Sequence, residues 1–131
     1  MANECIPYFA GAKQLTAVAG TGGINGKRFV AGSGALAAGL GTDGGVPTVV
    51  LPAAGAGVAG VAAQDTAAGL PGGVWFIGVV PVTSSAAITV GPVMTDANGY
   101  CLPWTTGNQV AGYAIATAAS GADAMIQLQA G

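Results

Sequence analysis

Two glycine-rich patterns in this sequence could bind the phosphates of a nucleotide. The pattern G-x-G-x-x-G occurs at Gly39/Gly41/Gly44 and at Gly55/Gly57/Gly60. A dinucleotide site needs a helix directly after the glycines and an acidic residue about 20 positions further on. From Gly60 that position falls in residues 76–82, FIGVVPV, which contain no acidic residue. The chain has 24 glycines, so the pattern also arises by chance, and we predict no dinucleotide site.

The segment GTGGINGKR, residues 20–28, resembles a phosphate-binding P-loop, G-x-x-x-x-G-K-[ST], but departs from it at two positions. Thr21 stands where the first glycine is required, and Arg28 stands where a hydroxyl should bind magnesium. Both positions matter, because the loop needs the backbone freedom of glycine and the metal needs the hydroxyl. We therefore predict no P-loop.

The residue types needed for acid–base, nucleophilic or metal chemistry are scarce in this chain. Histidine, the commonest general base and metal ligand, is absent. Cys5 and Cys101 lack metal-ligand spacing, and we expect two reduced, partly buried thiols rather than a disulfide. The acidic residues are scattered along the chain: Glu4, Asp43, Asp65, Asp96 and Asp123. We predict that the protein is not an enzyme and binds no metal or cofactor.

Charged residues are unusually rare. They make up 6% of the chain, whereas about 25% is typical of soluble proteins. With Lys13, Lys27 and Arg28 as the only cations, no basic stripe exists for nucleic acid. So few charges favour a surface that is partly buried against other chains. The alternative is that Ser, Thr, Asn and Gln side chains keep a free monomer soluble.

Two long segments without charge, residues 44–64 and 66–95, could be mistaken for membrane spans. Both are interrupted by proline and are rich in Ala and Gly, whereas a spanning helix needs about 20 strongly apolar residues. The N-terminus also lacks the basic and apolar regions of a secretory signal. We predict no membrane partner and synthesis in the cytoplasm.

An internal repeat indicates which elements position the remaining side chains. VAGVAAQDTAAG at Val58–Gly69 aligns with VAGYAIATAASG at Val110–Gly121, and an apolar segment follows each copy. The first copy is compatible with a helix, but in the second the bulkier Tyr113 and Ile115 alternate with small residues, which is the period of a strand. We therefore predict strand, turn and strand in both copies.

The other segments also predict strands. Gly26–Ala31 and Val46–Pro52 are expected to be short strands, and Val90–Pro103 a hairpin that turns at Asn98-Gly99. The predicted fold is all-β, a compact β-sandwich or a small, partly open β-barrel over residues 26–131. Residues 1–25 are predicted to form an extended N-terminal arm that contains a flexible spacer.

Several of these segments, in order, resemble one protein family. The segments are Asn3–Phe9, Gly26–Ala31, Val58–Gly69, Val79–Val82, Ile88–Gly99 and Val110–Ala124. Together they are similar to the small head decoration proteins of tailed bacteriophages, also called capsid stabilisation or cement proteins. The resemblance covers nearly the whole chain.

The resemblance implies a structural virion protein. Such proteins bind the outside of an icosahedral phage capsid and stabilise the lattice by bridging subunits of the major capsid protein. It also implies a homo-oligomer, with a trimer favoured, located on the outer capsid surface. The expected mechanism is binding alone, since many copies each lower the free energy of the closed lattice.

The N-terminal arm is the first candidate for the capsid-binding site. We hypothesise that Asn3–Phe9 lies on the major capsid protein and adds a strand to it. Glu4 belongs to this segment, and Ile6, Tyr8 and Phe9 would be its apolar anchors. The alternative is a disordered terminus with incidental aromatic residues.

The large aromatic residues form a second set of candidates. Trp75, Phe76 and Trp104 either pack in the core or contribute to a subunit or capsid interface. Arg28 either pairs with an acid at such an interface or is a solvated surface charge. An alternative function, a surface-displayed carbohydrate-binding or host-adhesion β-sandwich, would rely on Trp104 near Asn108 and Gln109.

Overall fold

Nine β-strands make up the regular structure of residues 4–37 and 46–128, the part of the chain that the computed structural model describes. The all-β prediction is confirmed, and no helix occurs within these residues. The strands are β1 Lys13–Ala19, β2 Phe29–Ala37, β3 Val46–Val50, β4 Gly60–Ala62, β5 Pro71–Thr83, β6 Gly91–Thr95, β7 Cys101–Pro103, β8 Gly112–Ala114 and β9 Asp123–Leu128.

The first five strands form a closed barrel. Its order is β1-β3-β2-β4-β5, and β5 pairs antiparallel with β1 to close it. The contact between β1 and β3 is parallel, at Val18–Thr48 and Ala19–Val49. Small and β-branched side chains fill the narrow interior: Ala17, Ala19, Ile24, Val30, Val49, Ala62 and Val74. We call this unit the first barrel.

The remaining strands continue from the second half of β5, in the order β5-β9-β8-β6-β7. A parallel bridge between Ser84 and Cys101 joins the end of β5 to β7, so this sheet also curves back on itself. Its interior is lined mainly by Val80, Val82, Ile88, Val93, Cys101, Ala114 and Ile126. We call residues 78–84 together with β6–β9 the second barrel.

Strand β5 is shared, because residues 71–77 pair with β1 and β4 whereas residues 78–83 pair with β9. Gly78 lies at the change of partner with a φ of +124°, which disfavours residues other than glycine. A Cβ at Gly78 would also lie 2.6 Å from the Cβ of Ala12. The chain therefore crosses between the barrels where both backbone conformation and space require glycine.

The two barrels are structural repeats of each other. The residues Leu15 and Val74, which are partners in the first barrel, correspond to the partners Val80 and Ile126 in the second. Strand β1 therefore matches the second half of β5, and the first half of β5 matches β9. The bridge between Ile24 and Thr66 recurs between Ile88 and Ala118. The sequence repeat is thus confirmed as a repeated strand–turn–strand unit, and it extends further than the sequence indicated.

The N-terminal arm predicted over residues 1–25 is wrong for its second half, because β1 is an integral strand of the first barrel. The expected spacer is fixed as well, since the N–H of Gly20 donates to Val49 O (2.8 Å) and that of Gly23 to Gly20 O (3.0 Å). Periodicity was weak here because the inward residues Ala17 and Ala19 are small, as a narrow barrel requires.

The predicted hairpin is confirmed as β6 and β7. The carboxylate of Asp96 accepts hydrogen bonds from the N–H groups of Asn98 (2.9 Å) and Tyr100 (3.0 Å), which fixes the turn. Residues 46–50 of the expected strand 46–52 form β3, and β2 begins at Phe29, inside the segment predicted for it.

Candidate binding surface

The sheet of the second barrel has two faces of very different exposure. Residues directly opposite each other on antiparallel strands share a face. One row runs through Val80, Ile126 and Ala114, all fully buried. The adjacent row runs through Val79, Gln127, Tyr113 and Pro92 and faces outward, with Tyr113 40% exposed.

Further exposed apolar side chains border this row. Val90 and Ile115 flank the pair Gly91–Ala114, and the N–H of Ile115 donates to Met125 O (3.1 Å). The N–H of Trp104 donates to Pro92 O (3.2 Å), which places the exposed Trp104 at the far edge. We call the set Val79, Val90, Pro92, Trp104, Tyr113, Ile115, Met125 and Gln127 the outer face of the second barrel.

The N-terminal segment, residues 4–9, lies along the edge of β5 next to Val79. The N–H of Cys5 donates to Ala63 O (2.7 Å) and that of Tyr8 to Val79 O (2.9 Å). The indole N–H of Trp75 donates to Cys5 O (2.9 Å). Cys5 is buried, whereas Ile6 is 64% and Phe9 60% exposed. The backbone is thus fixed while large apolar side chains face outward.

A small polar cluster lies between this segment and β9. Lys27 Nζ is 2.9 Å from Asp123 Oδ2, and the Thr83 hydroxyl donates to Asp123 Oδ1 at 3.1 Å. The hydrogen bond to Asp123 raises the pKa of Lys27. Burial, and then the negative charge of Asp123, raise the pKa of Tyr8. The cluster joins the Lys27 turn, β5 and β9 at one corner of the outer face.

The structure brings some of the sequence-predicted site residues together and separates others. Ile6, Tyr8 and Phe9 share the N-terminal segment with the exposed Glu4, while Asn3 lies outside the described residues. The half-buried Trp75 packs beneath this segment and against the core of the second barrel. Its neighbour Phe76 is half-buried in β5, and Trp104 lies on the outer face.

Arg28 contacts Tyr100 of the same chain. Its guanidinium stacks on the ring of Tyr100, 4.1 Å from the centroid, and donates a hydrogen bond to the Tyr100 hydroxyl. Arg28 therefore joins the start of β2 to the β6–β7 hairpin within one chain.

Tyr113, Ile115 and Pro92 are surface residues that the sequence reasoning missed. The alternation of bulky and small residues in 110–117 was visible, but period-2 alternation alone does not say which face is buried. The small face is inside because a Cβ at Gly112 would lie 2.5 Å from Ile126 Cγ2. Ile126 fills that space, so the bulky Tyr113 faces outward.

The reactive side chains of the described residues are not grouped into a site. Cys5 and Cys101 are free, buried thiols, and burial raises the pKa of each to about 12. Within residues 4–37 and 46–128, no three His, Cys, Asp or Glu side chains are placed to hold a metal. In the same residues no helix is long and apolar enough to cross a membrane. Gly60 begins strand β4 rather than a helix.

An all-β chain with an exposed, nearly uncharged sheet face has the features of a protein that acts by binding other macromolecules. The chain belongs to the phage cement protein family, whose family model matches residues 10–129. It is therefore a structural protein associated with the phage capsid, as the sequence resemblance implied.

A solved structure supports the fold. The chain is similar to the N base of the head fiber gp8.5 of bacteriophage phi29, with a TM-score of 0.69 and 21% identity. The match covers 90% of this chain and 94% of the other. A search of curated proteins finds no match.

Proposed function

We propose that this protein binds the outer surface of an icosahedral phage capsid and stabilises the lattice by bridging subunits of the major capsid protein. The observation that carries the proposal is the N-terminal segment, whose large apolar side chains are exposed on a fixed backbone. A preorganised segment loses little conformational entropy on binding, so its contacts contribute more fully to affinity.

Ile6, Tyr8 and Phe9 are the proposed anchors. Complete burial of a large apolar side chain stabilises a complex by about 1.5–3 kcal/mol. Three such anchors would supply several kcal/mol per copy, and many copies on one shell would add up to strong resistance to rupture. Trp104 is proposed as a further interface residue, while Arg28, Trp75 and Phe76 stay predictions in that role.

The carbohydrate-binding alternative gains no support from the Trp104 loop. The indole N–H of Trp104 donates to Asn108 O (2.8 Å), and the Asn108 amide donates to the hydroxyl (2.8 Å) and carbonyl (3.3 Å) oxygens of Thr105. The polar groups beside the aromatic ring therefore bond within the loop, whereas a sugar site needs such groups directed toward the ligand.

The proposal is tested by mixing the purified protein with expanded, undecorated capsids, pelleting them and counting bound copies. Saturation at a stoichiometry related to the lattice symmetry is the expected result. Ile6→Lys with Phe9→Lys should reduce binding at least tenfold, whereas Leu51→Lys with Leu70→Lys adds the same two charges at exposed apolar residues elsewhere and should not. Point variants are preferable to deletion, because Cys5 and its bond to Trp75 belong to the folded domain.

Bridging of capsid subunits is tested by a separate measurement, the temperature at which capsids release their DNA. Decorated capsids should release their DNA at a higher temperature than bare capsids, and the gain should rise with occupancy. Saturated binding without any gain would mean that the protein sits on single subunits and does not bridge them. Absence of binding to capsids would contradict the proposed function as a whole.

A further inference from the structure

Cys5, near the start of the N-terminal segment, is held through each of its three polar groups. Its N–H donates to Ala63 O (2.7 Å), directly after β4 of the first barrel, and its thiol donates to Pro81 O (3.4 Å), in the second barrel. Its carbonyl accepts the hydrogen bond from the indole N–H of Trp75 (2.9 Å). With 2% of its surface exposed, Cys5 therefore fixes the segment where the two barrels meet.

Trp75 is a rigid donor for this bond. Its backbone pairs with Gln14 on β1 and with Val61 on β4, so the strand is held on both sides at this residue. Its side chain packs against the core of the second barrel. Because the barrels fix both the backbone and the ring, the indole N–H loses little further freedom when it bonds to Cys5.

The direction of the Ile6 side chain depends on this attachment. Ile6 lies between two fixed points, Cys5 and the N–H of Tyr8, which donates to Val79 O (2.9 Å). After Phe9 the chain continues into β1, so that end of the segment stays tethered covalently whether or not the Tyr8 bond is made. Toward the N-terminus the described residues are held by the bonds of Cys5.

We infer that Trp75 is the positioning residue of the capsid-binding segment: through the carbonyl of Cys5 it holds the proposed anchors in the arrangement that binds, and it does not itself contact the capsid. The half-buried ring lies beneath the segment, whereas Ile6, Tyr8 and Phe9 are exposed. The identity of the partner rests on the proposed function, but the positioning of the segment does not.

Trp75→Phe tests the inference in solution, because it keeps an aromatic ring and removes the N–H. Two buried thiols report the result, Cys5 in the segment and Cys101 in the core of the second barrel. Burial raises the pKa of each to about 12, so labelling at pH 8 requires the thiol to be uncovered first. Trypsin separates the two after labelling, since Cys5 falls in peptide 1–13 and Cys101 in peptide 29–131.

Iodoacetamide should label Cys5 about tenfold faster in Trp75→Phe than in the wild type, with the rate at Cys101 unchanged. Trp104→Phe is the matched control, because it removes the indole bond to Asn108 O (2.8 Å) and should leave labelling of Cys5 as it was. An unchanged Cys5 rate in Trp75→Phe would overturn the inference. Equal acceleration at both cysteines would also overturn it, because the variant would then loosen the whole protein.

Labelling on capsids tests whether the held segment is the form that binds. Binding that favours this form should slow the labelling of Cys5 at least tenfold relative to the free protein. Bound copies whose Cys5 reacts as fast as in the free protein would overturn the inference, because the anchors would then bind without the arrangement that Trp75 holds. Failure to bind capsids would contradict the proposed function alone, since the solution measurement uses no capsids.

Discussion

The two barrels have the same strand order and register but different interiors and different closures. In the first barrel the contact between β1 and β3 consists of two residue pairs, and the core contains three alanines, Ala17, Ala19 and Ala62. In the second barrel the equivalent contact is one bridge, between Ser84 and Cys101, and the Ser84 hydroxyl is buried where the first barrel has the methyl group of Ala19. Backbone register has thus been retained while side-chain packing has changed, which indicates that the ladder, rather than any one core residue, defines the repeat.

The largest expected effect comes from the residue that links the barrels. Phe29 begins β2 of the first barrel yet packs in the core of the second. Phe29→Ala should lower the free energy of unfolding by about 3–5 kcal/mol. Phe29→Leu, which keeps most of the apolar volume, should cost less.

Urea unfolding measured through Trp75 and Trp104 separately, in variants that each retain one tryptophan, also shows whether the barrels unfold together. We expect one shared transition, since β5 and Phe29 belong to both units. Two transitions, with only one shifted by Phe29→Ala, would show that the barrels are independent.

The shared strand provides the second prediction. Gly78→Ala forces a Cβ against Ala12 at a φ of +124°, and it should destabilise the protein by about 1–3 kcal/mol. Gly32→Ala is the control, because it adds the same methyl group in open space without a positive φ. Thermal unfolding followed by circular dichroism measures both, and equal melting temperatures would refute the role given to Gly78.

The third prediction exchanges the residue types of two equivalent positions, Ser84 in the second barrel and Ala19 in the first. The Ser84 hydroxyl lies 3.0 Å from Ala119 O and 2.8 Å from Ala122 O, and Ser84→Ala should cost about 0.5–1.5 kcal/mol. Ala19 occupies the equivalent position of the first barrel, next to the carbonyl of Leu70. If the equivalence holds, Ala19→Ser should be close to neutral, because matching carbonyls are present; a loss of several kcal/mol would contradict it.

The smallest effect is expected at Cys101, whose equivalent in the first barrel is Val49. Cys101→Val should change stability at pH 7 by less than about 1.5 kcal/mol, as nearly volume-conserving core substitutions do. Burial raises the pKa of the folded-state thiol from 9.0 to about 12. Between these values the unfolded chain loses its proton first, so stability falls as pH rises from 9 toward 12.

Cys101→Val should therefore reduce the loss of stability measured between pH 9 and pH 12, leaving the contribution of Cys5. Urea midpoints at pH 8, 9.5 and 10.5 give the comparison. An unchanged pH dependence in the variant would show that the Cys101 thiol does not supply it.

Sequence reasoning found the fold class and half of the repeat for a physical reason. The copies at 58–69 and 110–121 keep the same small residues because a tight strand–turn–strand unit admits little else. The match between β1 and the second half of β5 left no such trace, since Thr16 and Pro81 differ while occupying the same register position. Only the strand pairing preserves that equivalence, and strand pairing cannot be deduced from the residue types.

The candidate surfaces were also only partly predictable from the sequence. Ile6, Tyr8 and Phe9 were recognisable as large apolar residues near a terminus, but their fixed backbone depends on bonds to Ala63 and Val79 far along the chain. The outward direction of Tyr113 depends on Ile126, which fills the space over Gly112. Long-range packing of this kind cannot be deduced from local periodicity.

The shared strand also has a mechanical consequence. At about 3.3 Å per residue, the 13 residues of β5 span roughly 40 Å as one continuous strand. Tension applied across the two barrels along this strand loads the β1 and β9 ladders parallel to their strands, so several hydrogen bonds must break at once rather than one after another. A shell protein built on such a strand would yield abruptly at a high force instead of stretching gradually as pressure rises.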